Sequence, residues 1–365
     1  MNVGVFHPVI DCCGGAEWVA INIINTLSAQ GHKITILTDK FLNQAKIANV
    51  FNRTVSVDKQ IIFPFTIFPP TDYHNVYTNM IRSSILKAKC DILVDTFSNS
   101  VLPGMDVSYI HYPLLKRVET ELSYLRNKIY FYPYKTFLSF FQKKIDEKLF
   151  FANSGFTSNA IKTEFSTNSH ILYPPVPNEI FLNQNATELD DQRENTVITI
   201  ARISHEKNLQ TIPHIAKFTH KDTTFVIAGL LDSPAMLESL QKTIKKLEVS
   251  RKVKILANVE RNRLNALLLK SKIYLHPTIN EHFGVSIVEA MSSGCVPIVH
   301  NSGGPKEFVP RHLRYESIEE AAQKIDKAIE SWSPKEPYRI SKHAQRFSER
   351  NFSDRFMKIF NSYFK

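Results

Sequence analysis

Two tandem α/β units, each a parallel sheet with helical crossovers, are what this sequence predicts, and three observations lead there. The chain has 365 residues, more than one hydrophobic core usually organises, so two domains are expected. Short β-branched or aromatic runs alternate with helix-like stretches: NVGVFHP, KITILTD, DILVDTF, VSYIHYP and KLFFANS, then TVITIAR, TFVIAGL, VKILANV, IYLHPT and VPIVHNS. Such alternation belongs to parallel sheets joined by helices, and strands covered on both faces read as near-continuous apolar runs. Between the two series, ILYPPVPNEIF carries Pro174, Pro175 and Pro177, which forbid regular structure and stiffen a connection.

The expected organisation is a Rossmann-like domain at 1–174, a second at 175–340, and a helical segment at 341–365 whose apolar spacing suits packing back across a domain, the N-terminal one included. Open α/β sheets bind ligands outside the carboxyl ends of their strands, so a cleft between facing domains is the expected site.

A net charge of +10 and a pI near 9.2 favour anionic partners: nucleic acid, phosphorylated small molecules or an acidic membrane surface. The four cysteines, Cys12, Cys13, Cys90 and Cys295, have neither disulfide-scaffold density nor zinc-site spacing, which fits a reducing compartment. The start of the sequence shows no basic segment followed by an apolar one, and no run approaches about 18 apolar residues, so neither export nor membrane spanning is expected.

The stretch NEHFGVSIVEAMSSGCVPIVHNSGGP, 280–305, reads as a loop, a helix ended near Gly294, a strand and a glycine-paired turn. Glu281 falls just before the helix and Glu289 eight residues later on it, a reach of about 12 Å if the interval were helical throughout. That reach suits a sugar at one end of a nucleotide diphosphate and a ribose at the other. Between the acids, the helix start offers unbonded amides and a positive dipole end, with Gly284 admitting a phosphate close to the backbone. An amphipathic helix with incidental acids would look the same from spacing alone. The loop ARISHEKNLQ tips the balance, because it places Arg202 and Lys207 after the first strand of the second unit, where cations could neutralise a diphosphate leaving group.

In the first unit, Gly14 and Gly15 of DCCGGAEW lie between strand and helix, and His111 of YIHYP ends another strand, placed to meet a hydroxyl or a developing charge. No Asp-x-Asp pair occurs and the histidines have no metal-cage spacing, so no metal requirement is expected. Residues 112–145 interleave Lys116, Arg117, Arg126, Lys128, Lys135, Lys143 and Lys144 with aromatics, a mixture that suits an anionic bilayer surface and could also grip single-stranded nucleic acid, while aromatics in the core with lysines in water would read the same way.

Taken together, NEHFGVSIVEAM, HNSGGPKEFV, IHYP, GGAE, FFANSGFT and ISHEKN resemble the GT-B retaining glycosyltransferases of family 4 type, whose E-x7-E signature matches Glu281 and Glu289. Within that family the resemblance is to the lipid-linked oligosaccharide mannosyltransferases of N-glycan assembly. It implies a nucleotide-sugar donor, GDP-mannose, with no cofactor, and a lipid-diphosphate-linked glycan acceptor at the cytoplasmic face of a membrane. It further implies that Arg202 and Lys207 hold the donor diphosphate, Glu289 the ribose, Glu281 the transferred sugar, and backbone groups of Phe283, Gly284 and Val285 the anion. Gly14 and Gly15 would border the phosphate and His111 would contact the sugar near the reacting carbon. A same-fold transferase using a UDP-sugar with another lipid or polysaccharide acceptor is the alternative. A nucleic-acid-binding protein is disfavoured, because it leaves Glu281 and Glu289 without a purpose beside the cationic loop.

Overall fold

The computed structural model describes residues 1–64, 76–116, 124–176, 193–220 and 222–364, the side chains of 124–128 excepted. They form two compact units, one from Met1–Pro175 with Glu349–Lys365, the other Val176–Ser348.

In the first unit the described strands are β1 (Asn2–Phe6), β2 (Lys33–Thr38), β3 (Lys59–Ile62), β4 (Ile92–Asp95), β5 (Val107–Ile110), β6 (Leu149–Ala152) and β7 (His170–Ile171). They lie parallel in the order β3-β2-β1-β4-β5-β6-β7. Val3 sits beside Ile34 on one side and Ile92 on the other, so β1 is central and its apolar residues are buried from both faces. The order reverses between β1 and β4, which makes their carboxyl ends the natural ligand position of this sheet. Helix Gly15–Ala29 buries apolar residues on nearly every side, including Val19, Ile21, Ile23, Ile24 and Leu27, as a helix enclosed by its neighbours must.

One of those neighbours is helix Glu349–Tyr363. Its Phe352, Phe356, Met357 and Phe360 recur at helical spacing and join the same core as Ile21 and Ile24. Across the contact Thr26 Oγ1 and Ser353 Oγ are 2.8 Å apart. Because Phe356 is fully buried, Phe356→Ala is expected to cost about 3–5 kcal/mol. Lys358→Ala, on the exposed face of that helix, should stay within about 0.5 kcal/mol. Urea unfolding followed by circular dichroism separates the two.

The second unit contains β8 (Glu194–Ile200), β9 (Thr224–Gly229), β10 (Val253–Ala257), β11 (Ser271–His276), β12 (Val296–His300) and β13 (Arg314–Tyr315), parallel in the order β10-β9-β8-β11-β12-β13. Its reversal point lies between β8 and β11, where Ile198 stands beside Tyr274. The loops leaving these two neighbours carry Arg202 and Lys207 on one side and Glu281 on the other, so topology alone brings the basic loop to the acidic one.

Candidate functional site

Glycines and left-handed residues shape the loop after β11. Asn280 has φ 55° and Gly284, at the N-terminus of helix Val285–Ser292, has φ 90°. The turn after β12 closes over it: the Asn280 amide donates to Ser302 Oγ at 2.7 Å and the Gly304 amide to the Glu281 carbonyl at 2.8 Å. A Cβ on Gly303 would stand 2.2 Å from that carbonyl oxygen, so only glycine lets the two turns approach. This explains the paired glycines of HNSGGP in local terms: they set the backbone of Glu281.

The Glu281 side chain is 14% exposed. Its Oε2 accepts from Lys207 Nζ at 3.0 Å and from His276 Nε2 at 3.1 Å, while Oε1 accepts from the His282 amide at 3.1 Å. Burial alone would raise its pKa, but the His276 bond and the charge of Lys207 outweigh it and hold the carboxyl well below the usual range. Lys207 ends a single 3-10 turn, His205–Lys207, after β8. Next to it Asn208, at φ 52°, donates from Nδ2 to the Pro277 carbonyl at 3.0 Å, which ties the basic loop to the acidic one.

Arg202 points elsewhere. Its guanidinium is 54% exposed and shared between Glu206 at 3.1 Å and Asp232 at 3.4 Å. Glu289 is buried on the helix and its Oε1 pairs with Arg261 Nη2, whose pKa rises mainly through the Glu289 charge. The interval between the two glutamates is helical only from Val285, so the helical reach assumed from sequence does not describe it. The Phe283 ring is core, against Phe308 at 5.3 Å and Phe347 at 5.5 Å, which leaves its backbone, with Gly284 and Val285, at the helix start. Tyr274, fully buried, donates to the Ile200 carbonyl at 3.1 Å and lies 2.8 Å from Ser286 Oγ, fixing that start against the end of β8.

In the first unit, Gly14 and Gly15 open helix Gly15–Ala29 after a 3-10 turn, Ile10–Cys12. The Gly14 amide donates to Glu17 Oε2 at 2.7 Å, so it is committed within its own loop. Glu17 Oε1 in turn lies 3.6 Å from Nε2 of the fully buried His7, whose Nδ1 is 2.9 Å from Thr96 Oγ1. Burial opposes the Glu17 charge, yet the His7 contact lowers its pKa. His111 follows β5 directly, and its peptide is clamped: the amide donates to Asn99 Oδ1 at 2.7 Å, and the carbonyl accepts from Asn153 Nδ2 at 2.8 Å and Thr157 Oγ1 at 3.1 Å.

Lys207 and Glu281 are therefore brought together, Glu289 meets Arg261, and Arg202 turns to two acids. Gly14, Gly15 and His111 belong to the other unit. Sequence reading missed His276, Arg261 and Tyr274. Of these only His276, ending an apolar strand just before the acidic loop, carried a local signal.

Of the basic aromatic segment, 117–123 and the side chains of 124–128, Arg117, Arg126 and Lys128 among them, lie outside the described residues. In the rest, Phe131, Tyr134 and Leu138 face the core. Ile129, Tyr132, Phe140 and Phe141 are exposed, as are Lys135, Lys143 and Lys144. No helix among the described residues is long and apolar enough to cross a membrane, and no three of their His, Cys, Asp or Glu side chains group to hold a metal ion.

Two doubly wound parallel-sheet units in one chain define the GT-B class of fold. A glycosyltransferase from Rickettsia africae ESF-5 superposes on it with a TM-score of 0.74 at 16% identity, covering 100% of this chain and 98% of that one. More narrowly, residues 182–351 match the family model described as Glycosyl transferases group 1, a stretch that falls almost wholly in the second unit. The chain is 31% identical over 237 residues to the GDP-Man:Man(3)GlcNAc(2)-PP-Dol alpha-1,2-mannosyltransferase of Dictyostelium discoideum, over 58% of this chain and 46% of that protein. It thus spans about half the length of that relative. It is also 24% identical over 342 residues to the phosphatidylinositol N-acetylglucosaminyltransferase GPI3 subunit of Saccharomyces cerevisiae strain YJM789, over 89% of this chain and 73% of that one.

Proposed function

We propose that this protein is a retaining mannosyltransferase that moves mannose from GDP-mannose to a lipid-diphosphate-linked glycan. The observation that carries the reading is Glu281 held as an anion by Lys207 and His276 at the strand reversal of the group 1 domain. An anionic acceptor suits a sugar hydroxyl. The neighbouring ammonium suits a diphosphate, as do the helix-start backbone groups of Phe283, Gly284 and Val285. Glu289 takes the ribose hydroxyls, with Arg261 fixing its carboxylate. Arg202 joins the phosphate by exchanging Glu206 and Asp232 for it. Gly14 and Gly15 are read as donor-phosphate residues, Gly14 through its shape, since its amide is taken by Glu17. His111, with its peptide clamped, contacts the sugar near the anomeric carbon.

In the reaction, the acceptor hydroxyl attacks the anomeric carbon on the face the diphosphate leaves. The C1–O bond to phosphate breaks, and the hydroxyl proton passes to the departing phosphate oxygen, so configuration is retained. Lys207, Arg202 and the helix start stabilise the charge that grows on the leaving diphosphate. Transfer to a lipid-linked acceptor is to be compared across GDP-mannose, UDP-glucose and UDP-N-acetylglucosamine, with GDP and UDP as competitors. Turnover of GDP-mannose alone, blocked by GDP, is expected; turnover of none would sink the enzyme reading.

The similarity to the N-acetylglucosaminyltransferase subunit favours a second reading, a UDP-sugar donor with another lipid acceptor. Competition by UDP in place of GDP would select it.

A lipid-linked acceptor requires access to a membrane, on this reading at its cytoplasmic face, and the exposed Ile129, Tyr132 and Phe140 beside Lys135, Lys143 and Lys144 supply shallow apolar insertion with basic anchoring. Replacing Ile129, Tyr132 and Phe140 by serine should weaken sedimentation with phosphatidylserine vesicles by on the order of tenfold or more, with circular dichroism unchanged. Undiminished sedimentation would remove this segment from the membrane.

A further inference from the structure

We infer that His276 is a positioning residue for Glu281: its Nε2–H and the Lys207 ammonium together hold one carboxylate oxygen, so that the other keeps a lone pair for a substrate hydroxyl. The inference rests on the reading of Glu281 as the residue that meets the transferred sugar.

His276 is the last residue of β11 and 2% exposed. Its register beside Val299 of β12 and its stacking 6.1 Å from the Tyr274 ring fix its place. A carboxylate can only accept hydrogen bonds, so the ring nitrogen 3.1 Å from Glu281 Oε2 must carry the proton. The other nitrogen, Nδ1, is buried and has no hydrogen-bond partner among the described residues. The ring therefore makes one hydrogen bond and leaves its second polar atom unsatisfied. An apolar residue would fill a core position at the end of β11 without that penalty, so the imidazole is explained by the bond it makes to Glu281. Lys207 reaches the same oxygen from the loop after β8. With two donors on Oε2 and the His282 amide on Oε1, the carboxylate plane is set before any ligand arrives, which is what orientation of a reacting sugar requires.

Among the described residues, the titratable groups that act on Glu281 include His276, Lys207, the neighbouring His282 and, from within β11, Tyr274. Removing His276 deletes a donor while burial stays, so the carboxyl should titrate at higher pH. The wild-type chain, His276→Gln and His276→Phe are compared. Nitrogen-15 NMR of the wild-type ring should show the Nε2–H form, a reading that needs no variant. Carbon-13 NMR should show the Glu281 carboxyl titrating higher in His276→Phe, with the acid limb of the GDP-mannose kcat/KM profile moving the same way. In that variant kcat should fall about ten- to a hundredfold with donor KM within a few-fold. His276→Gln, whose amide can present an N–H near the Nε2 position, should recover kcat to within about threefold of wild type.

An Nδ1–H ring in the wild type, or a Glu281 titration that does not move in His276→Phe, overturns the proposal. A titration that moves while transfer does not would leave His276 as the residue that sets Glu281 and refute the catalytic reading of Glu281 itself.

Discussion

Glu281→Gln should lower kcat for transfer from GDP-mannose by on the order of a hundred- to a thousandfold while leaving GDP affinity within a few-fold. GDP lacks the transferred mannose, so a residue that meets only that sugar makes no contact with GDP, and Lys207 screens the charge that remains. Calorimetric titration with GDP beside a transfer assay therefore tests placement as well as importance. The substitution is near-isosteric, and the amide oxygen can still accept from Lys207 Nζ or His276 Nε2, the donors that hold Oε2 in the wild type. Lys207 is 22% exposed, so losing the charge should cost about 1–2 kcal/mol of stability, below the roughly 3–5 kcal/mol of a broken fully buried pair. The pH dependence has a definite sign. The Glu281 carboxyl lies well below its ordinary value in the folded chain, so its stabilisation is fully present above about pH 5, beyond the unfolded value near 4.3, and is lost as the pH falls through the lower folded one. The stability difference between wild type and Glu281→Gln should thus shrink below about pH 4. Turnover within threefold of wild type would place Glu281 away from the sugar.

The fold class was legible because buried parallel strands write themselves as apolar runs: β1, β2, β8, β9 and β11 all stand out. The elements that escaped are β3, β7 and β13. β7 and β13 have two residues each and, like β3, lie at sheet edges, where burial from one side leaves no long apolar signature. Within the candidate site, what the sequence shows is residue type and local spacing. Glu281 and Glu289 could be singled out that way, and so could the basic loop. Direction could not: nothing in ARISHEKN says that Lys207 meets Glu281 while Arg202 turns to Glu206 and Asp232. Partners contributed by distant elements leave no local pattern either. Arg261 reaches Glu289 across 28 residues.

Lys207→Ala should act on both steps, raising donor KM by roughly tenfold and lowering kcat by on the order of a hundredfold, with GDP affinity falling in parallel. The difference from Glu281→Gln follows from what each group meets. A diphosphate arriving beside the Glu281 carboxylate is repelled by it, and Lys207, 3.0 Å from that carboxylate, is the charge that screens one anion from the other. Without Lys207 the ground state loses a phosphate contact, and the transition state also loses the cation that meets the growing negative charge. Arg202→Ala should weaken GDP less, since its half-exposed guanidinium must first leave two acids. The double variant Lys207→Ala with Glu281→Gln is the sharper measurement. If the pair acts as one device, adding the second substitution should cost far less than it does alone, with a coupling of about 0.5–3 kcal/mol in kcat/KM. Once the carboxylate is neutral, there is less repulsion for the lysine to screen. Strict additivity of the two losses would mean that Lys207 serves phosphate alone and that its contact with Glu281 has no part in transfer.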